Sequence, residues 1–312
     1  MNNDKLSIPT VTVITPSFNQ GPFIEETLRS VLSQEGSFYL DFIVMDGRST
    51  DNSVEIIGKY ETLLNSGTWP VRCLGIRYRW FSEKDNGQTD AINKGIAISS
   101  GDIIGWLNSD DTYAPQALQK TCDTFRNSPD AHVLYGQAHY IDAEGKIVGQ
   151  YPTEPFSFKR LSQFNFICQP ATFFRKAVLD HIGYPNATLR YAMDYDLWIR
   201  IAKYYQFLFL HEYLATYRLH ADSKTVSPSH ALENSKECLS VAREHFHYAP
   251  ANRVYSYYRN WYNNQPLHPF FKINPIAILV TLAISSFKYC ILNHGINFYD
   301  IRLLSLKYLK KL

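Results

Sequence analysis

Charge of one sign is what this 312-residue chain has least of: 31 Lys and Arg face 29 Asp and Glu, a formal net charge of +2. The broad basic field that nucleic-acid binding requires is therefore missing, and any polyanion must be met locally. Cysteine is sparse as well. Cys73, Cys122, Cys168, Cys238 and Cys290 show no paired spacing, which excludes a disulfide framework and a zinc cluster and fits a reducing compartment. The opening residues carry no basic segment followed by a long apolar core, so the expectation is a chain that stays inside the cell. No internal repeat and no low-complexity tract interrupts it.

What is present is material for a packed core, with 45% hydrophobic and 15% aromatic residues. The first hundred residues alternate short apolar runs with helical patterns, the signature of strands joined by crossover helices in a mostly parallel sheet. A strand over 10–15 is followed by the turn Asn19-Gln20-Gly21. Pro22 then opens a helix with Ile24, Leu28, Val31 and Leu32 on one face and Glu25 and Glu26 in its first turn. A strand over 41–45 ends at Asp46-Gly47 and precedes a helix facing inward through Val54, Ile57, Tyr60, Leu63 and Leu64. A third unit joins 73–81 to a short helix over 89–98.

The continuous apolar run 103–107 reads as a central strand covered on both faces, stopping at Asn108-Ser109-Asp110-Asp111. That carboxylate pair belongs at the edge where open α/β sheets bind ligands. Further on, strands are expected over 132–137, 147–151, 171–174, 207–210 and 214–218, with helices after Pro115 and over 194–205, so that the sheet becomes mixed. The fold class read from this pattern is α/β, a Rossmann-like mixed sheet flanked by helices. A helical extension follows a boundary near residue 225, dividing the chain into 1–225 and 226–312.

Six segments in order resemble glycosyltransferase family 2, whose members have the GT-A fold. They are Val13-Ile14-Thr15-Pro16-Ser17-Phe18-Asn19; Ile43-Val44-Met45-Asp46-Gly47-Arg48-Ser49-Thr50-Asp51; Ser82-Glu83-Lys84-Asp85-Asn86-Gly87 leading to Ala91-Ile92-Asn93-Lys94-Gly95; Asn108-Ser109-Asp110-Asp111; Met193-Asp194-Tyr195-Asp196-Leu197-Trp198; and Tyr217-Arg218-Leu219-His220. Each is weak alone, and the ordered set covers roughly the first 220 residues, about one α/β domain.

The resemblance implies an inverting transfer of a sugar from a nucleotide diphosphate-sugar to a carbohydrate hydroxyl. Asp110 and Asp111 match the D-x-D signature, where a carboxylate holds Mn²⁺ or Mg²⁺ against the leaving pyrophosphate; the bland alternative is a turn or helix cap. Asn108 departs from that pattern by replacing the first Asp with an uncharged amide. Asp46 matches the nucleobase-binding Asp and suits a uracil-type N–H, making a UDP-sugar the leading donor. Thr15, Pro16 and Phe18 match the lining of the same pocket, and Asp85 and Lys94 match positions that complete it.

Asp194 matches the catalytic base, which takes the acceptor hydroxyl's proton, against the alternative of a helix cap. Met193 stands where Glu is usual, and Asp196 is the reserve candidate. His220 matches a position that approaches metal or pyrophosphate, against a purely structural histidine. Gln169 and Trp198 are weighed as acceptor contacts, Trp198 reading more simply as core.

Polysaccharide, O-antigen or capsule assembly is the class of process implied, with a carbohydrate or lipid-linked glycan as acceptor. The rivals are a nucleotidylyltransferase, whose Gly-rich basic phosphate loop the segment 15–21 lacks, and an inactive carbohydrate-binding or scaffold protein with the same fold. In the tail, the apolar run 275–284 is interrupted by Ser285, Ser286 and Lys288 and followed by Lys307, Lys310 and Lys311. A spanning segment is not expected there. Its two readings are a helix packed on the catalytic domain or in a homodimer, and a peripheral contact with the inner face of the membrane.

Overall fold

The computed structural model, which describes residues 8–221, 223, 224, 227–266, 274–295 and 300, realises the strand–helix alternation of the first half. In chain order the elements are β1 (Thr10–Ser17), α1 (Ile24–Leu32), β2 (Tyr39–Asp46), α2 (Ser53–Asn65), β3 (Gly75–Ser82), α3 (Gln88–Ala97), β4 (Ile103–Trp106), β5 (Thr112–Tyr113) and α4 (Ala117–Asn127). They continue with β6 (Val133–Ile141), β7 (Ile147–Gln150), α5 (Phe158–Gln163), a 3-10 turn at Gln169–Ala171, β8 (Thr172–Arg175), α6 (Ala177–Ile182), α7 (Met193–Ala202), β9 (Phe207–Arg218), α8 (Pro228–Phe246), α9 (Ala251–Asn263) and α10 (Asn274–Asn293).

The strands form one sheet in the order β3-β2-β1-β4-β8-β6-β9-β5, with β7 paired to β6. β1 to β4 are mutually parallel, β8 runs antiparallel to both β4 and β6, and β9 lies parallel to β6. The sheet is thus mixed, as the sequence pattern implies. β1 and β4 are buried along nearly their whole lengths, which is why β4 reads as an unbroken apolar run. α1 buries Ile24, Leu28, Val31 and Leu32 in the same core as Val11, Val13, Phe42 and Val44. α3 approaches β1 so closely that a Cβ at Gly95 would lie 2.5 Å from Ile14 Cγ2, so this position requires glycine.

The chain forms two compact units that interleave in sequence: one comprises 1–156, 166–190 and 200–219, the other 157–165, 191–199 and 220–312. The first holds the sheet. In the second, α8 and α10 pack on α9, and Leu239, Ala249, Ala251, Val254 and Tyr289 form an apolar cluster.

One sequence expectation changes in the structure. The strands expected over 207–210 and 214–218 are the single strand β9, whose register against β6 shifts twice near Gln137; the bulged residues broke the apolar run without ending the pairing. The apolar run interrupted by Ser285, Ser286 and Lys288 lies within one helix, α10, which continues to Asn293, because one turn with polar side chains costs an otherwise strong helix little. Lys307, Lys310 and Lys311 lie outside the described residues.

Candidate functional site

Because β1, β2, β3 and β4 are parallel, their carboxyl ends share one edge. The order β3-β2-β1-β4 reverses between β1 and β4, making this edge the switch point where open sheets take ligands. Asp46 ends β2 in register with Ser17 of β1 and Ser82 of β3. Its carboxylate is 2% exposed and accepts from Ser49 N at 2.9 Å, Ser49 Oγ at 2.5 Å and Ser82 Oγ at 2.7 Å. A carboxylate offers about four acceptor sites. Oδ2 has used both of its own, and Oδ1 keeps one.

The loops after β1 and β2 are stitched together around it. Asn19 N donates to Ser49 Oγ at 2.8 Å, Thr50 N donates to Asn19 Oδ1 at 2.8 Å, and Gly21 N donates to Asp51 Oδ2 at 2.8 Å. Asn19 and Arg48 take left-handed backbones at φ 52° and 65°, a strain that clusters at binding loops. Asp46, Asp85 and Lys94 line one small recess with Met45, Phe81, Glu83 and Ala91. Asp85 Oδ1 accepts from Gly87 N at 2.8 Å, and Lys94 Nζ lies 3.0 Å from Asp90 Oδ2. Thr15 and Ser17 are buried on β1, and their hydroxyl oxygens have no hydrogen-bond partner. Pro16 lies between them, and Phe18 follows with 58% of its surface exposed.

Beyond β4, the loop 107–111 separates its two carboxylates by role. Asp111 is 2% exposed; its Oδ1 accepts from Arg218 N at 2.9 Å, and its backbone oxygen accepts from Thr27 Oγ1 at 2.7 Å. Burial, reinforced by the neighbouring Asp110 charge, pushes its pKa well above the ordinary carboxylate range. Asp110 is partly buried, and its backbone oxygen accepts from Arg218 Nε at 2.8 Å.

Arg218, missed as a site residue in the sequence, is the clamp of this loop. Its guanidinium, 1% exposed, also donates to the backbone oxygens of Asp142 and Ala143, pairs with Glu26 and lies over the Phe23 ring. No local signal marked it, since its hydrogen-bond partners lie 75 to 192 residues away in the chain.

Asn108 is a second hub. Trp106 Nε1, a donor only, reaches Asn108 Oδ1 at 2.9 Å, and Gln88 Nε2 reaches the same oxygen at 2.7 Å. Asn108 Nδ2 donates to Asp111 Oδ2 at 3.4 Å and to Gln169 Oε1 at 3.1 Å. The donor-only indole on one side and the acceptor-only carboxylate on the other fix which way the amide points. Asn108 Oδ1 thus already serves two donors. Gln169, weighed as an acceptor contact, is buried and held between Asn108 and the backbone oxygen of Trp106.

In the second unit, α7 carries Asp194 in its first turn. Oδ1 accepts from Tyr195 N at 2.7 Å and Oδ2 from Asn165 Nδ2 at 3.3 Å. Removal from water outweighs these bonds and raises its pKa to about 6. Asp196, the reserve candidate, receives His245 Nε2 at 2.7 Å, and both side chains are under a tenth exposed, a contact that ties α7 to α8. Trp198 is 1% exposed and is core. His220 follows β9, partly buried, and its backbone oxygen accepts from Ser223 N at 3.0 Å.

Among the described residues no group of three or more His, Cys, Asp or Glu side chains is arranged to hold a metal ion. An ion at this loop would be held by the Asp110 carboxylate and completed by substrate oxygens and water. Mg²⁺ is bound this way, by one or two carboxylates plus phosphates.

Residues 12–183 match the model of glycosyl transferase family 2. The chain is 27% identical over 217 residues to an uncharacterized glycosyltransferase of Methanocaldococcus jannaschii, covering 68% of this chain and 71% of that one. It is 31% identical over 201 residues to an uncharacterized glycosyltransferase of Mycobacterium tuberculosis, covering 63% and 70%. Among solved structures, S. aureus TarS in complex with UDP-GlcNAc superposes with a TM-score of 0.57 at 17% identity, over 88% of this chain and 79% of that one. A mannosyltransferase from Pyrobaculum calidifontis in complex with GDP-Man and Mn²⁺ superposes with a TM-score of 0.54 at 16% identity, over 99% and 84%. At these identities the likeness is one of fold.

Proposed function

The chain belongs to glycosyl transferase family 2, with the GT-A fold, and on that premise we propose an inverting transfer of a sugar from a UDP-sugar to a hydroxyl of a carbohydrate or lipid-linked glycan. The observation that carries the reading is the placement of Asp46 and Asp110 at the carboxyl ends of β2 and β4, on either side of β1 at the switch point.

Asp46 is the nucleobase residue. One acceptor site left on Oδ1 matches uracil, which presents a single N–H between two carbonyls. Guanine presents two adjacent donors on the corresponding edge and would need two open sites, so the bond pattern favours a UDP-sugar over a GDP-sugar. Thr15, Pro16 and Phe18 line the base, and the unpartnered Thr15 hydroxyl supports a polar contact there. Asp85 and Lys94 complete the nucleotide site, Lys94 supplying a cation toward carbonyl or phosphate oxygen.

Asp110 would hold Mn²⁺ or Mg²⁺, with Asp111 as the buried support that fixes the loop and His220 as a further contact. When bound, the ion supplies positive charge against the pyrophosphate as it leaves. Asp194 is the base: it takes the proton of the acceptor hydroxyl while that oxygen bonds to the anomeric carbon and the carbon–phosphate oxygen bond breaks, inverting the centre. A carboxylate with pKa about 6 is mostly ionised at neutral pH yet more basic than an ordinary Asp, as proton abstraction favours.

Polysaccharide, O-antigen or capsule assembly is the class of process this chemistry serves. The test is nucleotide release from a panel of UDP-, GDP- and other nucleotide sugars, with and without Mn²⁺. Metal-stimulated release of UDP is the expected result. Preference for a GDP-sugar would overturn the Asp46 assignment, and no release from any donor would favour the inactive-scaffold rival.

A further inference from the structure

The helix α10 is built inside out. Ala277, Thr281, Ser285 and Tyr289, four residues apart, form its buried row. Leu279, Ala283, Phe287 and Ile291, displaced from that row by two residues and so by about 200°, are exposed, with Leu279, Phe287 and Ile291 at 67%, 65% and 51%. In a helix covering a water-soluble core the large apolar residues face inward and the small polar ones outward. Here Thr281 is buried with its hydroxyl bonded back to Ala277 O at 2.6 Å, Ser285 Oγ is buried without a partner, and the bulky hydrocarbon points away. Apart from Tyr289 in the packed row and Ala283 in the open one, small residues lie on the packed face and large ones on the open face, the arrangement of helices surrounded by lipid.

We propose that the outer row of α10 docks on an anionic lipid surface, with the helix lying in the interface rather than crossing it. Length and composition permit a crossing: 275–293 is apolar and mostly exposed, and twenty residues span about 30 Å, the thickness of the hydrocarbon core. The partner helix excludes it. α9 packs along α10 and carries Arg253, Arg259 and Asn260. A spanning α10 would draw these toward hydrocarbon, at about 2.5–3.5 kcal/mol for each Arg near the centre.

Charge favours lipid over a second copy of the chain. Residues 265–312 hold six Lys and Arg against a single Asp, whereas the whole chain is nearly neutral. A like-charged copy would be repelled, and an anionic surface attracted, at about 1 kcal/mol per basic residue near the surface. Exposed Trp261 on α9 adds an aromatic of the type enriched at membrane–water boundaries.

The inference is independent of the transferase reading, since its readout is binding and not transfer. Full-length protein is mixed with preformed vesicles of phosphatidylcholine alone or with about a third phosphatidylglycerol, then floated. It is expected to float with the anionic vesicles, to remain below with the neutral ones, and to be released by high salt. The triple substitution L279E/F287E/I291E, at exposed positions and checked for an unchanged unfolding temperature, should reduce the floated fraction about tenfold or more. Equal flotation of the variant and the original chain, or no flotation of either, overturns the proposal. Retention through an alkaline carbonate wash overturns the interfacial placement. An original chain that is dimeric and vesicle-free, with a monomeric triple variant, gives the surface to a second copy instead.

Discussion

Two short acidic segments, Asp110-Asp111 in the first unit and Asp194-Tyr195-Asp196 in the second, look alike in sequence and are handled alike by the fold. In each, one carboxylate is spent on architecture. Asp111 is buried against the Arg218 backbone N–H and the Asn108 amide, and Asp196 is paired with His245 inside the second unit. The remaining member of each pair, Asp110 or Asp194, is the one to which we give chemistry. The lesson is that a conspicuous carboxylate pair need not be a pair of ligands or a pair of bases. A buried acid held in place lets its neighbour keep a defined position, which is how supporting residues commonly act around a reactive group.

The comparison breaks most sharply at α7. Asp194→Asn is expected to reduce transfer by about 10²–10⁴-fold while UDP affinity, read by calorimetry, stays unchanged. Asp196→Ala should instead lower stability by about 1–3 kcal/mol, because the buried His245 donor loses its acceptor. Equal effects of the two substitutions on transfer would remove the distinction.

In the first unit, Arg218→Met deletes the donors to the carbonyls of Asp110, Asp142 and Ala143 and leaves Glu26 without its partner. A loss of about 3 kcal/mol in urea unfolding is expected, roughly 1 kcal/mol for each of the three carbonyls that lose a donor, while the half-exposed Glu26 returns to water. Neutral behaviour would mean that the clamp does not hold the loop.

A smaller effect sharpens the same contrast. Asn108→Asp restores the first carboxylate of the D-x-D pattern but sets an oxygen against Asp111 Oδ2 and Gln169 Oε1, where the amide had donated. It should cost about 1–3 kcal/mol of stability at neutral pH, less in acid, where the raised pKa of Asp111 lets a proton bridge the two carboxyls. Tighter Mn²⁺ binding by this variant, measured by calorimetry, would show that position 108 is a ligand site after all.

These contrasts trace what the sequence makes legible. Strand ends are local: the apolar run stopping at Asn108 and the Asp46-Gly47 turn place both acids at the sheet edge before any coordinate is known. The committed partners are not local. Asn108 meets Gln169 across 61 residues, and Arg218 meets Asp111 across 107, so no spacing rule reveals that an apparent ligand is a hydrogen-bond hub. Asp194 and Asp196 share one helical turn; the resemblance ranks Asp194 first, and His245 arriving from α8 gives Asp196 a partner that no local pattern announces. The tail shows the opposite failure. α10's apolar composition was plain, but which of its rows faces outward depends on α9 and is invisible in the helix's own sequence.

The measurement that bears most directly on this division of roles is the pH dependence of transfer at saturating donor, for the original chain and for Asp194→Asn. A carboxylic acid whose folded pKa is raised to about 6 is protonated below that value and cannot take a proton, so the rate should rise with pH through a limb centred near 6. The residual rate of Asp194→Asn should lack that limb. A limb that persists in the variant, or a wild-type profile flat between pH 5 and 7, would contradict the assignment of Asp194 as the base.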